Sequence, residues 1–257
     1  MSFTVLIPAR YQASRLPGKP LRDVGGLPLV CRVLERAAAS GAHRVAVATD
    51  DERVAEAVRA QGGEAVMTGA DCASGTDRLA EAAAAMELPE SEPVVNLQGD
   101  EPFISSELIR AVATALDEGE PRDMATAGHP AEEWQNVLDP HVVKVVRSAS
   151  GDALYFSRAP IPWAREAFGG GTPAAAELAE QGPPAGYLLH VGIYAYRTAF
   201  LAAFSRWTAT PLERRESLEQ LRALENGVPI RVVDAPGPPA AGVDTAQDLE
   251  RARERFL

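Results

Sequence analysis

Short continuous apolar runs alternate with amphipathic stretches through the first half of the chain. "FTVLI" (residues 3–7) is apolar almost throughout, the pattern of a short strand buried on both faces. Residues 27–39 read as a helix: Leu27, Val30, Cys31 and Leu34 share a face, Pro28 suits the first turn, and Gly41 is placed to end it. "RVAVATD" (44–50) is the next strand, and a helix through Val54, Ala57 and Val58 stops at Gly62 and Gly63. Residues 64–68 and 93–100 repeat the strand signal around an alanine-rich helix near 79–86. Such alternation predicts right-handed crossovers and an α/β fold with a mainly parallel sheet flanked by helices. Ligands of these sheets lie beyond the carboxyl ends of the strands, where the loop after "FTVLI" and Asp100 both fall.

The second half is more mixed. Residues 142–147 and 153–157 read as strands joined in a hairpin around Gly151. Residues 159–186, rich in proline and glycine, predict a long loop that is mobile without ligand. "YLLHVGIYAYR" (187–197) is a strand, and 211–226 a helix with Leu218, Leu221 and Leu224 inward. "VPIRVVDA" (228–235) is the last strand, and Thr245 begins a terminal helix with Asp244 just ahead of it. The pattern predicts a smaller mixed lobe after the parallel half.

Composition narrows the possibilities. The chain has 257 residues, 46% hydrophobic and 24% charged, enough to bury a sizeable core as an ordinary soluble globule. A net charge of −11 opposes a nucleic-acid partner, whereas a small phosphate ligand needs only a local basic pocket. Two cysteines, Cys31 and Cys72, point to no disulfide framework, and a buried apolar thiol is the default for Cys72. The chain enters a strand-like run at once, with no signal-like stretch, and no apolar run approaches the roughly 18 residues of a membrane span. These features predict a cytoplasmic protein without a membrane partner.

The candidate chemistry begins at "IPARYQASRLPGKPL" (7–21), which places Arg10, Arg15 and Lys19 on one short loop. It is not a P-loop, since Pro20 stands where a Ser or Thr would bind magnesium. No G-x-G-x-x-G follows the first strand, which disfavours a dinucleotide. Two guanidiniums, an ammonium and backbone amides suit a triphosphate whose pyrophosphate end must carry away negative charge. One arginine alone is ordinarily a solvated surface charge. Three cations at one strand end beside glycines and prolines point to function.

Together with "VATDDERVAEAV", "SGTDRLAE", "VVNLQGDEP", "YFSRAPIPW", "HVGIYAY", "LEQLR" and "GVDTAQDLERAR", this loop resembles the CMP-Kdo synthetase family along the whole chain. These are the 3-deoxy-manno-octulosonate cytidylyltransferases. The resemblance implies a Rossmann-like nucleotidyltransferase fold in a single domain over 1–257, with 1–120 mainly binding CTP and 130–225 contributing sugar-binding and dimerisation elements. It implies transfer of CMP from CTP to the eight-carbon keto sugar acid Kdo, with release of pyrophosphate, for lipopolysaccharide assembly. It also implies Mg2+ as cofactor and a homodimer.

By the same resemblance Arg10, Arg15 and Lys19 hold the phosphates, and Lys19, Arg15 and Asp100 are catalytic. Asp100 and Asp244 are the implied magnesium ligands, hard oxygens suited to that cation. Such a pair repels itself until metal arrives, so each carboxylate is expected to resist ionisation in the metal-free protein. Ser74, Gly75 and Gln98 are the implied readers of cytosine; Arg158, His190, Tyr194, Glu219 and Gln220 are the implied sugar contacts. His190 and Tyr194 lie four apart on a strand and so share a face. The family pattern has a histidine two residues before Ser74; this chain has Cys72 there, and no role is carried onto it.

Each residue also has an ordinary reading. Asp100 suits a turn, Asp244 a helix cap, His190 a structural histidine, and Glu219 and Gln220 a helix surface. Rival functions are a nucleotide-sugar-binding protein without turnover and an NAD-linked oxidoreductase. The joint presence of Lys19, Asp100 and Asp244 opposes the first, and the missing glycine fingerprint opposes the second. Within the enzyme class the alternative acceptor is an amino derivative of Kdo or sialic acid.

Overall fold

The structure, a computed structural model, describes residues 2–12, 15–168, 182–183, 185–238 and 242–256. The first apolar run becomes β1 (Thr4–Ala9), buried at every position but Pro8. A two-residue ladder of β2 (Asp23–Val24) and β3 (Leu27–Pro28) follows, then α1 (Leu29–Ala38), β4 (Arg44–Thr49), α2 (Glu52–Ala60), β5 (Glu64–Met67), α3 (Gly75–Ala85) and β6 (Pro93–Asn96). β1 pairs in parallel with β4 on one side and β6 on the other, and β5 lies parallel beyond β4. The chain thus moves outward from β1 and returns to its opposite side. That reversal opens a crevice beyond the carboxyl ends of β1 and β6.

The rest of the chain forms α4 (Ser106–Thr114), β7 (Met124–Pro130), α5 (Trp134–Leu138), β8 (Lys144–Arg147), β9 (Ala153–Ser157), α6 (Arg165–Phe168) and β10 (Leu188–Arg197). It ends with α7 (Thr198–Phe204), α8 (Pro211–Glu216), α9 (Leu221–Glu225), β11 (Ile230–Asp234) and α10 (Ala246–Arg255). The main path of the sheet runs β11–β7–β10–β6–β1–β4–β5, with β10 antiparallel to both neighbours and the β8–β9 hairpin extending from it. Both faces are covered, which is why its central strands read as continuous apolar runs. Along β1, Val5 and Ile7 join Val30, Val33 and Ile109 on one face, while Leu6 joins Leu79, Ala82 and Leu201 on the other. Each buried Val, Leu or Ile among them contributes about 2 kcal/mol.

Several boundaries differ from expectation. Pro28 precedes α1 and pairs with Asp23, so the helix starts at Leu29 and not at residue 27. β6 ends at Asn96, which leaves Asp100 on a loop beyond the strand. The single helix expected over 211–226 is broken at Ser217, whose φ is +54°. Arg158 occupies the break: its Nε donates to the Glu216 carbonyl at 2.7 Å and its Nη2 to the Ser217 carbonyl at 3.5 Å, oxygens that a continuous helix would need. α4 and β7 were not anticipated. Ser105 caps α4 by accepting from Glu107 N at 3.2 Å, and Leu108, Ile109 and Val112 turn inward, a signal present in the sequence. Of the long loop expected over 159–186, residues 169–181 and 184 lie outside the described set. Its start carries α6, where Phe168 packs against Trp134 and Trp163.

Candidate active site at the carboxyl edge of β1 and β6

Gly18 adopts φ +68°, a left-handed conformation that favours glycine, and starts a tight turn over Lys19–Leu21. The turn aims Lys19 across the crevice. Its Nζ donates to Asp100 Oδ2 at 2.7 Å and to Asp244 Oδ1 at 2.9 Å. Arg15 Nη2 reaches the other oxygen of Asp244 at 3.2 Å. Asp100 is brought there by Gly99, where a Cβ would stand 2.9 Å from the Pro8 carbonyl, so only glycine lets this loop run against the end of β1. Val243 N donates to the Asp100 carbonyl at 2.8 Å and draws the segment carrying Asp244 alongside.

Two carboxylates 144 positions apart in sequence (244 − 100) therefore share one ammonium. The repulsion expected between them is replaced by attraction to Lys19. Burial alone would lower the Lys19 pKa, but Asp100 and Asp244 outweigh it and hold it above its ordinary value. Asp244 is not the cap of α10: Thr245 Oγ1 accepts from Asp248 N at 3.2 Å, leaving the Asp244 carboxylate to Lys19 and Arg15. Glu101, which the sequence reading passed over, lies beside the pair. Burial, reinforced by the charges of Asp100 and Asp244, pushes its carboxyl up to about 7. Among the described residues no group of three or more His, Cys, Asp or Glu side chains forms a ready metal cage. Asp100 and Asp244 nevertheless suit Mg2+, which commonly takes one or two protein carboxylates and completes its shell with phosphates and water. That a cation already bridges them shows that the position favours positive charge.

The next wall is the start of α3. Ser74 and Asp77 form a reciprocal cap, with Asp77 N donating to Ser74 Oγ at 3.1 Å and Ser74 N donating to Asp77 Oδ2 at 2.9 Å. Gly75 opens the helix next to β1, where a Cβ would lie 3.6 Å from Pro8. Arg10 turns to the same wall and donates to the Cys72 carbonyl. Cys72 is only half-buried, and its thiol donates to Glu81 Oε2 at 3.1 Å, so it is not the enclosed apolar thiol expected. Burial and the Glu81 contact push that thiol up. Gln98 Nε2 donates to Asn96 Oδ1 at 3.1 Å at the end of β6. Arg78, a second residue missed inside "SGTDR", is fully buried beneath this wall. It donates to Thr68 Oγ1 at 2.5 Å and to Asp50 Oδ2 at 3.0 Å.

A third group lines β10 and the α8–α9 junction. Tyr194 sits opposite Asn96 in the β10–β6 ladder, and the His190 and Tyr194 rings lie 5.5 Å apart despite a bulge between Val191 and Tyr194. His190 meets the Phe156 ring edge-on at 5.0 Å, and its Nε2 is 2.9 Å from Thr126 Oγ1. Loss of hydration pushes His190 down to about 3, so its imidazole is neutral. Burial, then the Glu219 charge, raises the Tyr194 phenol. Thr76 Oγ1 donates to Glu219 Oε2 at 2.6 Å and ties this group to α3. Gln220 is not a surface residue: it is 4% exposed and its Nε2 has no partner. Arg158 Nη1 adds a bond to the Pro140 carbonyl at 3.1 Å, so its guanidinium charge is met by backbone oxygens. Nearby, Lys144 is fully buried and donates to the carbonyls of Asp139 and Val142.

Cations and carboxylates converge beyond the switch point of a mainly parallel sheet, with polar side chains continuing along an antiparallel strand. This arrangement defines an α/β protein that handles a nucleoside triphosphate, a nucleotidyltransferase by class. The family model described as "Cytidylyltransferase" matches residues 4–230, and the chain belongs to the cytidylyltransferase family. It is 50% identical to a 3-deoxy-manno-octulosonate cytidylyltransferase of Idiomarina loihiensis, over 99% of this chain and 98% of the relative. It is also 50% identical to one of Acidithiobacillus ferrooxidans, over the full length of both. A solved CMP:2-keto-3-deoxy-manno-octonic acid synthetase complexed with CTP superposes with a TM-score of 0.87 at 41% identity, covering 100% of this chain and 98% of the other.

Proposed function

We propose that this chain activates Kdo by transferring CMP from CTP, with release of pyrophosphate, as its full-length relatives are named to do. The observation that carries the reading is the convergence of Lys19 and Arg15 on Asp100 and Asp244 at the sheet's switch point. In this reaction a sugar hydroxyl attacks the α-phosphorus while the bond to pyrophosphate breaks. Positioning and charge do most of the catalysis. Arg10, Arg15 and Lys19 supply the positive charge against which pyrophosphate leaves. Asp100 and Asp244 would hold a Mg2+, which when bound neutralises phosphate charge and helps align the reacting groups.

Ser74, Gly75 and Gln98 face the base in this reading, with Arg78 supporting their wall from beneath. Arg158 offers the sugar carboxylate a guanidinium bonded to neutral carbonyls. The free amide of Gln220, with His190, Tyr194 and Glu219, offers its hydroxyls a mixed set of donors and acceptors. The proposal includes a homodimer, carried from the family resemblance, and a cytoplasmic location, carried from the composition and the cysteine usage. No described helix is long and apolar enough to cross a membrane. The test is pyrophosphate release with CTP, Mg2+ and a panel of keto sugar acids. Turnover is expected with Kdo and much less with sialic acid; no turnover of Kdo, or equal turnover of both, overturns the assignment.

A further inference from the structure

We propose that Lys19 doubles as the resident counter-cation of the Asp100–Asp244 pair, closing the metal position in the nucleotide-free protein so that a divalent cation is admitted together with a triphosphate. The inference rests on the reading of Asp100 and Asp244 as metal ligands. Lys19 is 17% exposed and makes charge-assisted bonds of 2.7 and 2.9 Å to one oxygen of each carboxylate. Arg15 takes the second oxygen of Asp244 at 3.2 Å. Two negative charges thus face two positive ones, so a free ion meets carboxylates that are already paired.

A divalent cation arriving alone must displace an ammonium from two bonds and leave that charge without a partner. A cation arriving with a triphosphate meets a different situation. The phosphates accept Lys19 and Arg15 as they are displaced, and the carboxylates exchange one cation for another. The tight turn after Gly18 anchors the backbone, with Leu21 N donating to the Gly18 carbonyl at 3.0 Å, so the exchange needs only rotation of a four-carbon side chain. Metal and nucleotide then bind with positive coupling, and by linkage each raises the affinity for the other by the same factor.

The test is Mn2+ binding to the nucleotide-free protein, followed by calorimetry and by the electron spin resonance of free Mn2+. Wild type is expected to bind Mn2+ weakly, and Lys19→Met to bind it about tenfold more tightly or better, the scale of one lost charge-assisted contact. Lys19→Arg keeps a cation and should stay near wild type. Arg15 is 66% exposed in its side chain, so Arg15→Gln tests the same point without burdening the fold and should raise the affinity by a smaller factor. Equal Mn2+ affinity in wild type, Lys19→Met and Arg15→Gln overturns the counter-cation role. Adding Asp100→Asn to Lys19→Met separates the two readings. Loss of the gained Mn2+ site supports both, whereas tight binding that survives it rejects the ligand assignment itself.

Discussion

Replacing Asp100 by Asn keeps the shape of the side chain and removes its charge. From sequence alone the change relieves repulsion with Asp244, so the metal-free protein should hold level or gain stability. The structure reverses the sign, because Lys19 stands between the two carboxylates. The side chains of Lys19 and Asp100 are 17% and 29% exposed, which places their contact between two regimes. An exposed pair is worth less than about 1 kcal/mol, and breaking a buried one costs about 3–5 kcal/mol. The expected loss is ~1–2 kcal/mol, or roughly 2–8 °C in melting temperature for a chain of this size. The backbone bond from Val243 N to the Asp100 carbonyl survives, so the loop should keep its place. Asp244→Asn is the internal comparison: at 44% side-chain exposure it should cost less than about 1 kcal/mol. Turnover should fall by roughly 10²-fold in both variants, as for loss of one well-placed electrostatic contact. The assay is calorimetric melting without metal, beside pyrophosphate release at saturating Mg2+. A metal-free Asp100→Asn protein that melts at or above wild type would show that Lys19 does not balance the pair.

Other outcomes follow from buried charges and the links around the crevice. Arg78→Met leaves Asp50 without its buried partner and should cost about 3 kcal/mol or more in urea unfolding, with weaker CTP binding; a loss under about 1 kcal/mol would show that the pair does not hold this wall together. Lys144 is pushed by burial from 10.5 down to about 8, so the unfolded chain holds the proton more tightly and stability should rise as pH climbs from about 8 to about 10.5. Relative to Lys144→Met, wild type should gain about 2 kcal/mol between about pH 7.5 and about pH 9.5, and parallel pH profiles would contradict the buried-charge cost. Thr76→Val removes the 2.6 Å bond to Glu219 and should raise the KM for Kdo more than that for CTP; equal effects on both would mean that Glu219 serves the whole crevice.

Much of this protein is written in local sequence. β1, β4 and β6 are legible because burial on both sheet faces demands continuous apolar runs, and α3 through its alanine-rich stretch, although the Ser74–Asp77 cap starts it at Gly75, ahead of the 79–86 expected. The cationic loop shows in the sequence as a cluster. Tertiary structure alone decides what those cations touch. Nothing within "SRLPGKP" or "GVDT" says that Lys19 lies 2.9 Å from Asp244 across 225 positions. β7, "MATAGHP", was missed because it is poor in strand-forming side chains; pairing with β10 and β11 and burial at all but its last residue make it a strand. The break at Ser217 was missed for the reverse reason, since local pattern favours one helix and a distant arginine takes the carbonyls it needs. Periodicity reports how each segment meets the core. Charge partners are set by the order in which strands assemble, and that order is a property of the whole chain.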